Sequence, residues 1–110
     1  MAYKQGDIVV VSFPFADSTG SKPRPALVIS GDDFNASHQH TILAMITTGA
    51  KTRWDSDIKI TQLESTGLSV PSLIRMKLFT LDERLIRNQI GMLASMDKEI
   101  VMRSVKSHVF

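Results

Sequence analysis

Asp7-Ile8-Val9-Val10-Val11-Ser12-Phe13 is the stretch whose reading decides the fold. It is short, rich in β-branched side chains and apolar at both odd and even positions. That pattern predicts a strand buried on both faces, not an amphipathic helix or a half-wet strand. Pro14 stops it, and Ala16-Asp17-Ser18-Thr19-Gly20-Ser21-Lys22-Pro23 has the composition of an exposed flexible loop. Pro25-Ala26-Leu27-Val28-Ile29-Ser30 then predicts a second strand, ended by Gly31-Asp32-Asp33. A proline is tolerated at the start of a strand because the first residue need not donate to the ladder.

Further along, Thr41-Ile42-Leu43-Ala44-Met45-Ile46-Thr47 reads as a third apolar strand, closed by Thr48-Gly49. Before it, the segment around Phe34 to Gln39 is ambiguous, with one irregular helical turn as an option. A polar, basic stretch runs through Asp57, after which Ile58-Lys59-Ile60 alternates like a strand with one wet face. Gly67 and Pro71 punctuate the next connection. Leu73-Ile74-Arg75-Met76-Lys77-Leu78-Phe79 alternates again, with Arg75 and Lys77 on one face and Ile74, Met76 and Leu78 on the other. Two readings stay open for residues 81–93: Leu85, Ile86, Ile90 and Leu93 suit a helix, and Asn88-Gln89-Ile90-Gly91-Met92 suits a strand.

The end of the chain predicts an amphipathic helix. Ser95 is its N-cap, and Asp97 stands in the first turn, where negative charge is favoured. Met96, Ile100, Val101, Val105 and His108 recur at helical spacing, and Arg103 and Lys106 fall toward the C-terminal end. Met92, Met96 and Met102 are expected to pack helix against sheet. Short strands followed by one such helix predict a mainly β, α+β fold, a small and strongly bent barrel with helical additions.

Composition fits this picture. The 110 residues leave room for one domain spanning 1–110, and a chain of this size buries roughly 65% of its unfolded surface. Hydrophobic residues at 43% and charged residues at 22% are ordinary for a globular chain, which argues against disorder. With no cysteine there is neither a disulfide framework nor a thiolate metal site, in keeping with a reducing cytoplasm. The N-terminus lacks the apolar stretch of a signal peptide, and no apolar run approaches the ~20 residues that span a bilayer, so a soluble cytoplasmic protein is expected. The formal charge of +2 is too small to identify a partner by itself. Its placement is more informative: Lys22 and Arg24, Lys51 and Arg53, and Arg75 and Lys77 form three basic pairs, each beside a predicted strand end. Brought together they make an anion-binding surface; kept apart they are solvated charge.

Gly6-Asp7-Ile8-Val9-Val10-Val11 followed by Lys22-Pro23-Arg24-Pro25-Ala26-Leu27-Val28-Ile29 closely resembles the opening of the MazF/PemK toxins. Ile46-Thr47, Ser72-Leu73-Ile74-Arg75, Phe79-Thr80-Leu81-Asp82 and Ile90-Gly91-Met92-Leu93 resemble later landmarks of that family, in order, from about Gly6 to about Lys106. The resemblance implies an SH3-like barrel with a C-terminal helix, a homodimer binding single-stranded RNA near its groove, and a cognate antitoxin whose disordered tail occupies that groove. Under it, residues 81–92 read as a turn and a strand. It also implies an endoribonuclease that needs no metal and no cofactor. The RNA's own 2′-hydroxyl would attack, leaving a 2′,3′-cyclic phosphate and a 5′-hydroxyl.

Such chemistry requires removal of the 2′ proton, stabilisation of charge on the phosphorane, and protonation of the leaving oxygen. Arg24 is the first candidate. Its planar fork of donors fits phosphate oxygens, and Pro23 and Pro25 stiffen the backbone on either side. Guanidinium groups hold their proton to above about pH 12, so charge stabilisation suits Arg24 better than proton abstraction. On its own it also reads as a strand-edge arginine between turn prolines. Thr47 matches the family's second catalytic position; its hydroxyl can bond a phosphate oxygen or place the 2′-hydroxyl, with Thr48 as the substitute if the register slips by one. Arg75 matches an arginine that supports catalysis in the PemK branch. In that branch a carboxylate follows two positions later, where this chain has Lys77. That departure leaves three readings: the carboxylate is dispensable, Arg24 and Thr47 carry the chemistry, or RNA is bound and cleaved poorly. Lys22, Thr48, Lys51, Arg53, Trp54 and Lys77 complete the predicted RNA contacts, with Trp54 offering a face on which an unpaired base can stack. The His38-Gln39-His40 cluster lacks the neighbours of a metal site. Two other classes remain open: a gyrase-binding toxin on a related barrel, and a barrel that binds RNA or antitoxin without cleaving.

Overall fold

The computed structural model describes residues 2–13, 22–48 and 53–109. Its strands are β1 (Asp7–Phe13), β2 (Lys22–Val28), β3 (His40–Thr47), β4 (Ile58–Lys59), β5 (Leu73–Asp82) and β6 (Ile86–Met92), and its helices are α1 (Asp32–His38) and α2 (Ser95–Val109). Short 3-10 turns at Glu64–Thr66 and Glu83–Leu85 complete the order. The strands form a six-stranded sheet in the order β4-β5-β3-β2-β1-β6, with every neighbouring pair antiparallel.

The predicted SH3-like barrel is therefore wrong. The α+β class holds, but the sheet is open, with β4 and β6 as its edges. Closing a barrel needs a continuous staggered ladder between the first and last strands. Here β4 is only two residues long, and β6 packs against the turn at Glu64–Thr66. Backbones come very close at that contact: a Cβ on Gly91 would lie 2.3 Å from the carbonyl carbon of Thr66, and one on Gly67 (φ +76°) 2.1 Å from the carbonyl oxygen of Ile90. Register shifts in β1 against β6, and between Ala44 and Met45 in β3, bend the sheet without closing it.

Strand alternation divides the core between the two faces. Ile8, Leu27, Ala44, Ile46 and Ile74 pack with Leu93 and Val101, so α2 covers this face. Val9, Val11, Ala26, Val28, Leu43, Leu81 and Ile86 pack on one another on the opposite face, which requires the twisted sheet to curl toward them. The two-sided burial read from β1 holds: Ile8, Val9 and Val11 are all fully buried. The turn and strand adopted for residues 81–92 are likewise found, as Glu83–Leu85 and β6.

Three local expectations change. β2 begins at Lys22, not Pro25, with Pro23 and Pro25 paired to Ser12 and Val10 of β1. Its ladder to β3 covers only Ala26 to Val28, so both prolines sit where the strand has a single bonded neighbour, as at an edge. Helix α2 starts at Ser95 rather than being capped by it, and the Ala94 carbonyl accepts the bond from the Lys98 N–H at 2.8 Å. Its buried side matches the expected stripe only in part: Val101 is buried together with Asp97 and Val105 packs on the core, whereas Met96 and Ile100, like Met92 on β6, are exposed. The cause is Asp97, whose carboxylate accepts the Thr61 N–H at 3.0 Å, the Thr61 hydroxyl at 2.7 Å and the Gln62 N–H at 3.0 Å. Three bonds to one buried carboxylate fix which way the helix faces. Met102 does pack on the core as expected.

Candidate functional site

Register places three of the predicted residues on one face of the sheet. Ala26 of β2 pairs with Met45 of β3, and two residues further on Arg24 and Thr47 are next in line. On the other side of β3, Met45 pairs with Arg75 and Thr47 with Leu73 of β5. Alternation puts Arg24, Thr47 and Arg75 on the face of Val11, Ala26 and Leu43. They lie on three adjacent strands, near the end where β2 begins and β3 ends. The irregularity after Ala44 skips two residues of β5, so Arg75 keeps its face while Met76 and Lys77 go unpaired with β3.

Arg24 stands opposite Val11 and is half-buried. Its Nε is buried and has no hydrogen-bond partner among the described residues. A buried donor without a partner costs about 1–3 kcal/mol, so this group calls for an explanation such as a catalytic role or a bound partner. Thr47 is half-buried at the last position of β3, and Thr48 lies exposed one residue past the strand. Strand alternation thus favours Thr47 over Thr48 as the neighbour of Arg24.

Arg75 is held more firmly. Its Nε donates to Oδ1 of Asp57 at 3.0 Å and its Nη2 to Oδ2 at 2.8 Å, with the side chains 11% and 1% exposed respectively. Asp57 follows from the β4–β5 register: Ile58 pairs with Ile74, so the next residue outward faces Arg75. The same carboxylate accepts the Trp54 N–H at 3.0 Å, while the Asp57 N–H donates to the Trp54 carbonyl at 2.9 Å. The Arg75 guanidinium also lies over the Trp54 ring, with its Cζ 4.9 Å from the ring centroid. The hydrogen bonds from Arg75 hold the Asp57 carboxyl below the usual carboxylate range, and Asp57 in turn raises Arg75. Both groups stay charged near neutral pH, so this carboxylate is no ready proton donor.

Asp57 was missed in the sequence because it lies 18 residues from Arg75 and the contact exists only once β4 pairs with β5. The signal was present in the alternation of residues 58–60; pairing that short strand with β5 would have set Asp57 beside Arg75. The carboxylate absent at Lys77 is thus supplied to Arg75 by the residue just before β4. Lys77 itself is exposed in the unpaired stretch, Arg53 is exposed, and Trp54 is 42% exposed instead of serving as core. Lys22 begins β2 opposite Phe13, while Lys51 lies outside the described residues. His40 starts β3, seven residues from Thr47 and about 23 Å away at the usual strand rise. Its ring Nδ1 contacts the His38 carbonyl at 2.8 Å. Among the described residues no group of three His, Cys, Asp or Glu side chains is placed to hold a metal, and no helix is long and apolar enough to cross a membrane.

The profile of the family described as PemK-like, MazF-like toxin of type II toxin-antitoxin system matches residues 4–109. A search of curated proteins finds no match. Among solved structures, MazF from Deinococcus radiodurans superposes with a TM-score of 0.77 at 21% identity, covering 99% of this chain and 97% of that one. An endoribonuclease in complex with its cognate antitoxin, from a mycobacterial species, gives 0.75 at 13% identity over 98% and 93% of the two chains. A MazF toxin of Mycobacterium tuberculosis gives 0.73 at 18% identity over 92% and 93%. At such identities these likenesses establish a shared fold.

Proposed function

We propose, from the premise that this chain belongs to the PemK-like, MazF-like toxin family of type II toxin–antitoxin systems, that it is an endoribonuclease that cleaves single-stranded RNA by attack of the RNA's own 2′-hydroxyl. The observation that carries this reading is the alignment of Arg24, Thr47 and Arg75 on one face of three adjacent strands, with a buried donor on Arg24 that has no partner among the described residues. Arg24 stabilises the charge that builds on the phosphorane oxygens, while solvent water takes the 2′ proton and one is returned to the 5′ oxygen as the P–O5′ bond breaks. The Thr47 hydroxyl bonds a phosphate oxygen or orients the 2′-hydroxyl. Arg75, its fork bound to Asp57, holds the geometry of the site. Lys22, Thr48, Lys51, Arg53 and Lys77 contact the phosphate backbone, and Trp54 takes an unpaired base. The reaction uses neither metal nor cofactor. The protein acts in the cytoplasm as a homodimer, and a cognate antitoxin inhibits it by laying a disordered tail across the RNA groove; one structural neighbour was solved with its cognate antitoxin.

The test compares cleavage of a mixed-sequence single-stranded RNA by the wild-type chain, Arg24→Ala and Thr47→Ala. Cleavage should fall at least ~100-fold in Arg24→Ala, the scale of losing one charge-stabilising donor, while the variant stays folded. Full activity in Arg24→Ala would contradict the assignment.

A further inference from the structure

Asp57, Trp54 and Arg75 form a closed ring of contacts. Through its two oxygens the carboxylate accepts both the fork of Arg75 and the backbone N–H of Trp54, and the guanidinium in turn covers one part of the indole. Removing the carboxylate takes a hydrogen-bond acceptor from both partners together. The buried side of this ring is Asp57, 1% exposed at its side chain; the outer side is the 42% exposed indole. Arg53 and Lys77 are exposed nearby in chain and on β5. We propose that Asp57 is a positioning residue for substrate: it clamps Arg75 and, through it, fixes Trp54 as a shelf on which one unpaired RNA base stacks. This rests on the proposed RNA substrate and adds what organises its binding. Held ionised between its donors, Asp57 exchanges no proton in the reaction. Its effect lies in binding, not in the chemical step.

Trp54 is the only tryptophan of the chain, so intrinsic emission reads the shelf alone. The probe is a mixed-sequence 2′-O-methyl RNA, which binds but cannot be cleaved by 2′-hydroxyl attack. Saturating the wild-type chain should quench Trp54. Asp57→Asn should lose the quench and bind about tenfold more weakly, the scale of one lost base–aromatic stack. On cleavable RNA the same variant should raise KM about tenfold and leave kcat within about twofold. Arg75→Lys keeps the charge but loses the bidentate fork and should lose the quench too, which preserves the test if Asp57→Asn does not fold. Wild-type affinity and quench in Asp57→Asn, or a fall in kcat at unchanged KM, would overturn the proposal. So would wild-type emission that stays constant while the chain cleaves RNA, a result that leaves the nuclease reading standing. A wild-type chain that neither binds the probe nor cleaves RNA would overturn both.

Discussion

At the scale of single residues, the site is a problem in where charge is held. Among the described residues Arg24 keeps a buried donor unpartnered, whereas Arg75 is paired with a carboxylate that the chain brings from just before β4. The first is suited to meet charge that develops during reaction, the second to hold geometry. Asp57 is held ionised by Arg75, and His40 stands at the opposite end of β3 from Thr47, so neither serves Arg24 and Thr47 as acid or base. His40→Ala should therefore leave the cleavage rate within about twofold, and the pH–rate profile should show no transition in the usual histidine range near ~6.5. A large loss in His40→Ala would show that an imidazole takes part. Stability has its own pH dependence. Asp57 is held low by Arg75, and Asp82 is held at about 2, first by its hydrogen bond from Arg84. A carboxyl easier to ionise in the fold than in the unfolded chain stabilises the fold above the unfolded value of 3.8 and loses that contribution as pH falls through its folded value. Urea midpoints should stay level above about pH 5 and then decline toward pH 2, less steeply in Asp82→Asn, with a small difference because that ion pair is exposed.

At the scale of elements, what was legible depended on how local the cause is. β1 and β3 could be read because their own side chains declare two buried faces. The start of β2 could not, since Lys22 and Pro23 look like loop residues until β1 supplies their pairing partners. In α2 the periodicity was visible, and Val101 and Val105 do face the core, but Met96 and Ile100 do not. Hydrophobicity favoured Met96 and Ile100, and the contact that turned the helix was a buried Asp97 to residues 61–62. Asp97→Ala should then cost about 2 kcal/mol in equilibrium unfolding, as two backbone donors lose their acceptor and are met only in part by water. No measurable change would mean that apolar packing alone seats the helix. The β6 edge rests on close backbone approach at Gly91, where an added Cβ meets Thr66 and Ser65 backbone within 2.5 Å. Gly91→Ala should destabilise by about 3 kcal/mol, with loss seen by calorimetry and amide exchange at the turn 64–66.

At the scale of the whole molecule, the order of the strands matters more than their number. Expecting a barrel was reasonable from short alternating strands, but alternation reports faces and says nothing of edges; closure turns on whether β4 and β6 meet, and they do not. The same strand order accounts for how a chain with a formal charge of only +2 gathers cations, since β2, β3 and β5 are adjacent although far apart in sequence. RNA affinity should accordingly fall steeply with salt, and Lys77→Ala should reduce the slope of log K against log salt by roughly 0.7, one phosphate's worth for a single strand. An unchanged slope would remove Lys77 from the interface. The most direct test of the central claim incubates the purified protein in excess EDTA with a mixed-sequence RNA and its all-deoxy counterpart. Cleavage of the RNA alone, leaving 2′,3′-cyclic phosphate and 5′-hydroxyl ends, is the predicted result; intact RNA, or equal cleavage of the DNA, would contradict it.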